Sequence, residues 1–125
     1  MSIDIVDERE DGYYAAYKDG RRVGHATWVK VKDAVILPHA EVDPALQGQG
    51  IGSLLARRAF DDARAEQHSV MPLCPFMKRW AELHPDYRDI TRTPMAGELA
   101  SIKSAVLAAR TLEILHASAS PTAHP

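Results

Sequence analysis

Residues 35–67, VILPHAEVDPALQGQGIGSLLARRAFDDARAEQ, decide the fold of this chain. They indicate a buried strand, a glycine-rich turn and an amphipathic helix. The turn, residues 47–52, is Gln-Gly-Gln-Gly-Ile-Gly, and its three glycines stand within five residues. Glycine leaves backbone N–H groups uncovered, and N–H groups at a helix N-terminus attract anions. The stretch therefore predicts a phosphate-binding unit.

Two common phosphate-binding motifs do not fit this turn. A P-loop ends in Gly-Lys-Ser/Thr, and the turn contains no lysine. The dinucleotide-binding fingerprint requires its third glycine where Ser53 stands, and Gly52 falls one residue early. The turn does fit a third pattern, Gln/Arg-x-x-Gly-x-Gly, in which Gln47, Gly50 and Gly52 occupy the specified positions. Taken alone, the turn is also compatible with a plain connection between a strand and a helix.

Length, composition and charge indicate one small folded domain. The chain has 125 residues, of which 46% are apolar, and a net charge of −2 with both signs mixed, so nucleic acid is not an expected partner. No apolar run approaches the ~20 residues of a membrane span, and the acidic N-terminus lacks a signal-peptide pattern, so no membrane partner is expected. The single cysteine, Cys74, cannot form an internal disulfide, which favours the reducing cytoplasm.

The sequence before the glycine turn predicts an antiparallel meander of four strands. Turn signals at Asp11-Gly12, Asp19-Gly20 and Lys32-Asp33 separate runs of β-prone residues. The last of these runs is the most apolar and is the expected central strand. The predicted strands are residues 3–6, 13–17, 22–31 and 34–42.

The sequence after the turn predicts a helix, a strand and a second helix. The first helix runs from Ile51 to about Gln67, and the strand of residues 70–74 is expected to lie parallel to residues 34–42 through a right-handed crossover. Pro72 places that strand at an edge, a bulge or a splayed end. The apolar face of the first helix is expected to carry Ile51, Leu54, Leu55, Ala59 and Ala63, with Phe60 at its margin.

The second helix and the C-terminal segment complete the predicted organisation. Pro75 suits the first turn of a helix over residues 76–83, which His84-Pro85 stops before a short turn at residues 86–90. Residues 91–94 form a boundary, and residues 97–116 are helix-prone, packing on the core or on a partner. Residues 117–125 are expected to be disordered. The predicted division is a domain of residues 1–93 and an extension of residues 94–125.

Four motifs in chain order resemble the small YjdJ-type branch of the GCN5-related N-acetyltransferase (GNAT) family. The motifs are His39-Ala40-Glu41-Val42, the turn of residues 47–52, Pro72-Leu73-Cys74-Pro75-Phe76 and His84-Pro85-Asp86-Tyr87. The resemblance covers about residues 13–90. It implies an α/β (α+β) GNAT fold, in which a mixed, mainly antiparallel sheet carries a strand–loop–helix–strand acetyl-CoA unit, here with an extra C-terminal helix.

The chain departs from the family's pattern in three ways. Gln47 stands where arginine is commoner, and Ala40 stands where threonine is usual. The first strands also leave no room for the two helices with which larger GNAT enzymes build their acceptor sites. The resemblance therefore does not imply a particular acceptor.

The resemblance implies an acyl-CoA-binding protein that transfers an acetyl group from acetyl-CoA to an unidentified amine. Acetyl-CoA or a short acyl-CoA is the expected co-substrate, and the backbone N–H of Val42 is expected near the thioester oxygen. No metal site is expected, because His68, His116 and His124 are scattered. The oligomeric state stays open, and the alternatives are a non-catalytic CoA-binding module or a structural protein. The residues expected to bind the pyrophosphate are Gln47, Gly48, Gln49, Gly50, Ile51 and Gly52.

Four side chains are candidates for the chemistry of this transfer. His39 and Glu41 are two residues apart on one strand, so both side chains face the same side of the sheet. Either could act as a base, directly or through water, or both could be plain surface residues. Cys74 is expected to end the strand of residues 70–74. It is compatible with an acyl-accepting nucleophile, a general acid for the CoA thiolate, a cleft-lining residue or a buried apolar residue. Tyr87 is expected to donate a proton, to form a hydrogen bond with the cofactor or simply to pack in the core.

Overall fold

A computed structural model describes residues 3–8 and 12–119, with side chains through residue 109. Within these residues the fold is a five-stranded sheet in the order β1-β2-β3-β4-β5. Its first four strands form an antiparallel meander, and β5 lies parallel to β4, as the sequence predicted. The strands are β1 (Ile3–Glu8), β2 (Tyr13–Lys18), β3 (Arg21–Val31), β4 (Ala34–Val42) and β5 (Ser69–Pro72), and the helices are α1 (Ile51–Ala65), α2 (Pro75–Leu83) and α3 (Leu99–Ala119).

Turn chemistry fixes the register of the meander. Asp19 and Gly20 both adopt positive φ, 52° and 79°, which is the two-residue turn that matches the twist of a hairpin. Lys32 has φ 57° in the turn between β3 and β4. Both predicted turns are therefore confirmed, whereas Asp11 of the third lies outside the described residues.

Helix α1 covers one face of the sheet and ends earlier than predicted. It stops at Ala65, because Gln67 adopts the left-handed region with φ 61°. The predicted face is correct except at two residues. Leu54 is 42% exposed, since it lies away from the centre of the face, and Phe60 is fully buried rather than marginal. The Phe60 ring packs 5.0 Å from the Trp80 ring, so α2 buries it.

Strand β5 is shorter than the predicted strand of residues 70–74. It ends at Pro72, which has no N–H group to continue a ladder. The prediction that Cys74 ends this strand is therefore wrong. Cys74 instead occupies the N-cap position of α2, and Pro75 opens the helix as predicted.

The outer edge of β5 is covered by the chain that follows α2. The N–H of Val70 donates to the carbonyl of Ile90 (2.7 Å), and the N–H of Arg92 donates to the carbonyl of Val70 (3.0 Å). A parallel bridge between Val70 and Thr91 results. Residues 90–92 thus lie against β5 rather than forming a free linker.

Helix α3 packs on the face of the sheet opposite α1. Ile102 is buried against Ala34, Ile36 and Met71, so this helix contacts the sheet itself. Its start is held by Arg92, whose guanidinium donates to both carboxylate oxygens of Glu98 (2.8 and 3.0 Å). This pairing, with the Met95 N–H, lowers the pKa of Glu98 to about 2.

The C-terminal predictions hold only in part. The helix spans Leu99–Ala119, so residues 117–119, predicted as disordered, are helical. Residues 120–125 lie outside the described part of the chain. The division at residue 93 stays a prediction. Of the described helices, none is long and apolar enough to cross a membrane.

Replacing Ile102 by alanine tests the docking of α3. The side chain is 3% exposed, so its truncation leaves a cavity between α3 and the sheet. We expect a loss of about 2 kcal/mol in the free energy of unfolding, measured by urea denaturation. Leu107→Ala is the control on the same helix, because Leu107 is 63% exposed. Its expected cost is within about 0.5 kcal/mol, and equal costs for the two variants would contradict the docking.

Candidate active site

The glycine loop, residues 47–52, presents backbone N–H groups at the start of α1. Gly48 and Gly50 adopt φ values of 86° and 82°, a region that other residues enter only with strain. The first bond of the helix runs from the Leu54 N–H to the Gly50 carbonyl (3.1 Å), so the preceding N–H groups point out of the helix end. Residues 47–50 are exposed, which leaves this anion-favouring end accessible.

Strand β4 separates from β5 halfway along its length. The two strands pair from Ala34 to Leu37, where the Leu37 carbonyl accepts N–H groups from both Leu73 (3.0 Å) and Cys74 (3.1 Å). Beyond Leu37, β4 continues to Val42 paired with β3 alone. A wedge therefore opens between β4 and the start of α2.

A β-bulge in β4 sets the direction of every group beyond it. Trp28 of β3 stands opposite two residues of β4, Leu37 and Pro38. Past the bulge, the Asp43 N–H donates to the Val23 carbonyl (2.8 Å) on the β3 side. Because successive N–H groups alternate along a strand, the Val42 N–H faces the wedge. This is the orientation that the predicted role of Val42 requires.

The loop and the wedge share one groove of about 1230 Å³. Strands β3 and β4 form one wall, and the glycine loop with the first turn of α1 forms the floor. Helix α2 forms the opposite wall through Phe76, Trp80, Leu83 and His84. A polar end and an apolar wall suit a ligand that carries both phosphates and an aliphatic arm.

One hydrogen bond ties the aromatic wall of the groove to the first turn of α1. The Trp80 indole N–H donates to the Ser53 hydroxyl (2.9 Å), and that hydroxyl can donate its own hydrogen to an anion. His84 stacks on Trp80 at 3.9 Å between ring centroids, and its Nδ1 lies 2.7 Å from the Trp80 carbonyl. The bond from Trp80 to Ser53 fixes the α2 wall against the start of α1, and the His84 contacts hold His84 on Trp80.

Gly52 allows α2 to approach the loop. A Cβ atom at Gly52 would lie 2.8 Å from Cζ of Phe76, closer than real Cβ contacts. The Phe76 ring is 43% exposed, so it lies over the loop at the mouth of the groove. Gly52 therefore contributes close packing, whereas Gly48 and Gly50 contribute backbone conformation.

Two of the predicted catalytic side chains come together on one face of β4. His39 and Glu41 are exposed, and His39 Nε2 lies 3.6 Å from Glu41 Oε1. Ala40 and Val42 point to the α1 face, so His39 and Glu41 share the opposite face. Glu41 lines the groove, together with His25 of the neighbouring strand.

The other two predicted catalytic residues lie away from the groove lining. Cys74 is 8% exposed and packs in the core between the sheet and its helices. The Tyr87 hydroxyl donates to Asp61 Oδ1 (2.5 Å) and accepts from Arg57 (3.3 Å). The bond to Asp61, reinforced by burial, raises the pKa of Tyr87. The geometry thus groups His39 and Glu41 but not Cys74 and Tyr87.

The sequence pattern of the GCN5-related N-acetyl-transferase family matches residues 12–90 of this chain. The chain belongs to this family. The match covers the sheet from β2 onward, the glycine loop, α1 and α2. A comparison with curated protein sequences finds no match.

One solved structure shows the same fold over most of the chain, and two others match about half of it. A GCN5-like protein from Staphylococcus aureus, determined by NMR, superposes with a TM-score of 0.60 at 21% identity, covering 77% of this chain and 95% of that one. A GNAT acetyltransferase from Brucella melitensis in complex with acetyl-CoA has a TM-score of 0.45 at 25% identity, over 54% of this chain and 50% of that one. The ribosomal-protein-S18-alanine N-acetyltransferase from Escherichia coli has a TM-score of 0.45 at 24% identity, over 47% of this chain and 40% of that one.

Strand β3 also lines the groove of this GNAT chain, which was not expected from the sequence. Arg22, Gly24 and His25 line it beside β4. A Cβ atom at Gly24 would lie 3.0 Å from the Glu41 carbonyl, so glycine keeps the two strands close. The signal was present in the hairpin turns, since a register counted from Lys32-Asp33 brings His25 close to Glu41. The bulge at Pro38 makes them direct partners.

The burial of Cys74 is testable by its rate of alkylation. An 8% exposed thiol meets reagent only when the core opens, so iodoacetamide should modify the folded protein at least ~10-fold more slowly than the protein in urea. Intact-protein mass spectrometry measures both rates on this single-cysteine chain. Glutathione under the same two conditions corrects for the effect of urea on the reagent. A folded-state rate equal to that of glutathione would place the thiol at the surface.

Proposed function

We propose that this chain binds acetyl-CoA, or a short acyl-CoA, and transfers the acetyl group to an amine. The observation that carries the proposal is the glycine loop, whose N–H groups open into the groove that the splayed end of β4 borders. The pyrophosphate is bound by N–H groups of residues 47–52, at the positive end of the α1 dipole. Membership of the acetyltransferase family supports the same ligand.

The pantetheine arm runs from the loop into the wedge between β4 and α2. In that direction Val42 turns its N–H toward the wedge, since the Asp43 N–H is bound to β3. The thioester oxygen accepts a hydrogen bond from Val42, and this bond strengthens as negative charge develops on the oxygen. The backbone therefore supplies both the binding of the phosphates and the stabilisation of the oxyanion.

Glu41 is the group best placed to act as the base. It lines the groove and carries His39 as a neighbour at 3.6 Å. The base removes a proton from the acceptor nitrogen as the nitrogen attacks the thioester carbon. The tetrahedral intermediate then collapses, the carbon–sulfur bond breaks, and CoA leaves as a thiolate that takes up a proton. His39 lies close enough to exchange protons with the Glu41 carboxylate.

Cys74 and Tyr87 are proposed as supporting groups. Cys74 lies where the wedge begins, with its N–H bound to the Leu37 carbonyl at 3.1 Å. A role as nucleophile or general acid requires this buried thiol to reach the cofactor. Tyr87 acts through its bond to Asp61, which holds the turn after α2 against α1.

A non-catalytic CoA-binding module is the second candidate. The buried thiol of Cys74 and the engaged hydroxyl of Tyr87 favour it, because both withdraw candidate catalytic atoms from the groove. In either case the single cysteine favours a reducing cytoplasm. We assign the binding unit to residues 1–93 and treat residues 94–125 as an extension, since the groove is lined by residues 22–84.

The loop proposal is tested by replacing Gly50 with valine. A side chain at φ 82° costs about 1–2 kcal/mol in strain and covers the N–H groups. Calorimetric binding of acetyl-CoA should therefore fall below detection. Gln47→Ala should change the Kd by no more than about threefold, because the backbone does the binding.

Gly97→Val is the control for adding the same side chain outside the groove. Gly97 has open space around it and lies outside the groove, so acetyl-CoA affinity should stay unchanged. Thermal melting of each variant checks that the fold is retained, and Gly50→Ala serves if the valine variant unfolds. Normal binding by a folded Gly50→Val protein would move the site elsewhere.

Catalysis is tested by the release of CoA thiol with a panel of amines. Glu41→Gln should lower kcat roughly 10²-fold while leaving the acetyl-CoA affinity intact, as loss of a general base does. Glu82→Gln, on the exposed side of α2, is the control and should match the parent. Equal kcat values for the Glu41 variant and the parent would exclude this base. Tight acetyl-CoA binding without thiol release for any amine would support the non-catalytic module.

A further inference from the structure

Three potential metal ligands meet on the sheet face opposite α1. They are His25 of β3 and His39 and Glu41 of β4, and one ligand atom from each lies within 4.8 Å of those of the other two. His25 is half-buried, whereas His39 and Glu41 are exposed. Two imidazoles and one carboxylate are a donor set that divalent transition metals prefer.

The backbone holds these three residues in a fixed relation. His25 and Glu41 are direct partners across the β3–β4 ladder, and His39 stands two residues before Glu41 on the same strand. Side chains at such positions project from the sheet side by side. The frame is therefore organised before any metal arrives, which lowers the entropy cost of binding.

The distances require only side-chain movement. His39 Nε2 and Glu41 Oε1 are 3.6 Å apart, and the His25 and His39 ring centroids are 5.8 Å apart. Ligand atoms around tetrahedral Zn²⁺ lie about 3.3–3.5 Å apart, because Zn–N and Zn–O bonds are ~2.0–2.2 Å. The side chains of His39 and Glu41 are 53% and 67% exposed, so they can rotate to close the remaining gap.

The surroundings shape the strength of such a site. The Tyr13 ring meets His25 edge-on at 6.0 Å, and the Arg22 guanidinium lies 4.3 Å from the Tyr13 ring centroid. Arg22 also donates to the Tyr13 hydroxyl (3.2 Å), so this positive charge is directed at Tyr13. It weakens cation binding at the cluster, while the Glu41 carboxylate supplies the compensating negative charge.

We propose that His25, His39 and Glu41 bind one Zn²⁺ ion or a similar divalent transition metal. Three protein ligands leave a fourth position for water or another ligand. His25 and Glu41 also line the groove, so the metal site borders it. A bound metal removes the Glu41 carboxylate from the role of base, a consequence that rests on the proposed function, whereas metal binding does not.

This site departs from the expectation drawn from the sequence, where no metal was expected. The expectation rested on the spacing of ligands along the chain. His25 stands fourteen residues before His39, so the two are not at the spacing of a local metal motif. The ladder between β3 and β4 removes this separation. The site depends on pairing between strands, which no local motif displays.

Calorimetric titration of ZnCl₂ into the full chain, without acetyl-CoA, tests the site. We expect saturable binding of one ion per chain. Loss of an outer-shell partner already costs roughly 10–100-fold in metal affinity, so loss of a ligand in His39→Ala or Glu41→Gln should weaken binding at least ~100-fold. His25→Asn, which preserves side-chain size at this half-buried position, should do the same, with thermal melting to check the fold.

The visible absorption of Co²⁺ gives a readout of coordination independent of calorimetry. The parent should develop the intense bands of a low-coordinate Co²⁺ site, and the three ligand variants should not. The matched control is His68→Ala, which also removes a histidine beside a carboxylate, with His68 Nδ1 3.7 Å from Glu66. His116→Ala/His124→Ala removes the C-terminal histidines.

Both control proteins should bind Zn²⁺ and Co²⁺ like the parent. Three results would overturn the proposal: no saturable Zn²⁺ binding by the parent, unchanged binding by His39→Ala and Glu41→Gln, or loss of binding in the controls. Because no acetyl-CoA is present, each of these results leaves the proposed acetyl transfer untouched. Failure of acetyl-CoA binding likewise leaves the metal site untouched.

Discussion

One carbonyl group, that of Leu37, divides β4 into two parts with different tasks. It accepts hydrogen bonds from the N–H groups of both Leu73 and Cys74. These two hydrogen bonds mark the end of the pairing between β4 and β5. Before it, β4 is a buried central strand. After it, the strand loses one neighbour while keeping the other, and a wedge opens. Beyond Leu37 the wedge side of β4 has no neighbouring strand among the described residues, and this is where we propose that the acyl-CoA arm binds.

The bulge beside that carbonyl decides which residues the ligand site receives. Val35 and Leu37 point to the α1 face, and simple alternation would send His39 and Glu41 to the same face. The two residues opposite Trp28 shift the alternation by one. Ala40 and Val42 therefore take the core side, and the two polar residues reach the opposite face. Without this extra residue, His39 and Glu41 would face the core under α1. With it, they lie together on the opposite face of the sheet.

Much of this arrangement follows from local sequence. Asp19-Gly20 specifies a hairpin turn, the glycines of the loop specify positive φ, and Pro75 specifies a helix start. These signals fix element order, the parallel β4–β5 unit and the place of the glycine loop at the start of α1. The conformation of the loop was therefore predictable, because it resides in the backbone of six consecutive residues.

What escaped prediction depends on contacts between distant residues. Cys74 was expected at a strand end, but Pro72 ends the strand first and the chain turns inward to bury the thiol. Phe60 is buried because Trp80 lies beside it, and His25 joins Glu41 through the ladder. The covering of β5 by residues 90–92 is of the same kind. It also means that the fifth strand offers no open row of N–H and C=O groups along Val70 to a strand from another molecule. The covered edge therefore protects this end of the sheet from pairing with a strand of another molecule and from the aggregation that such pairing causes.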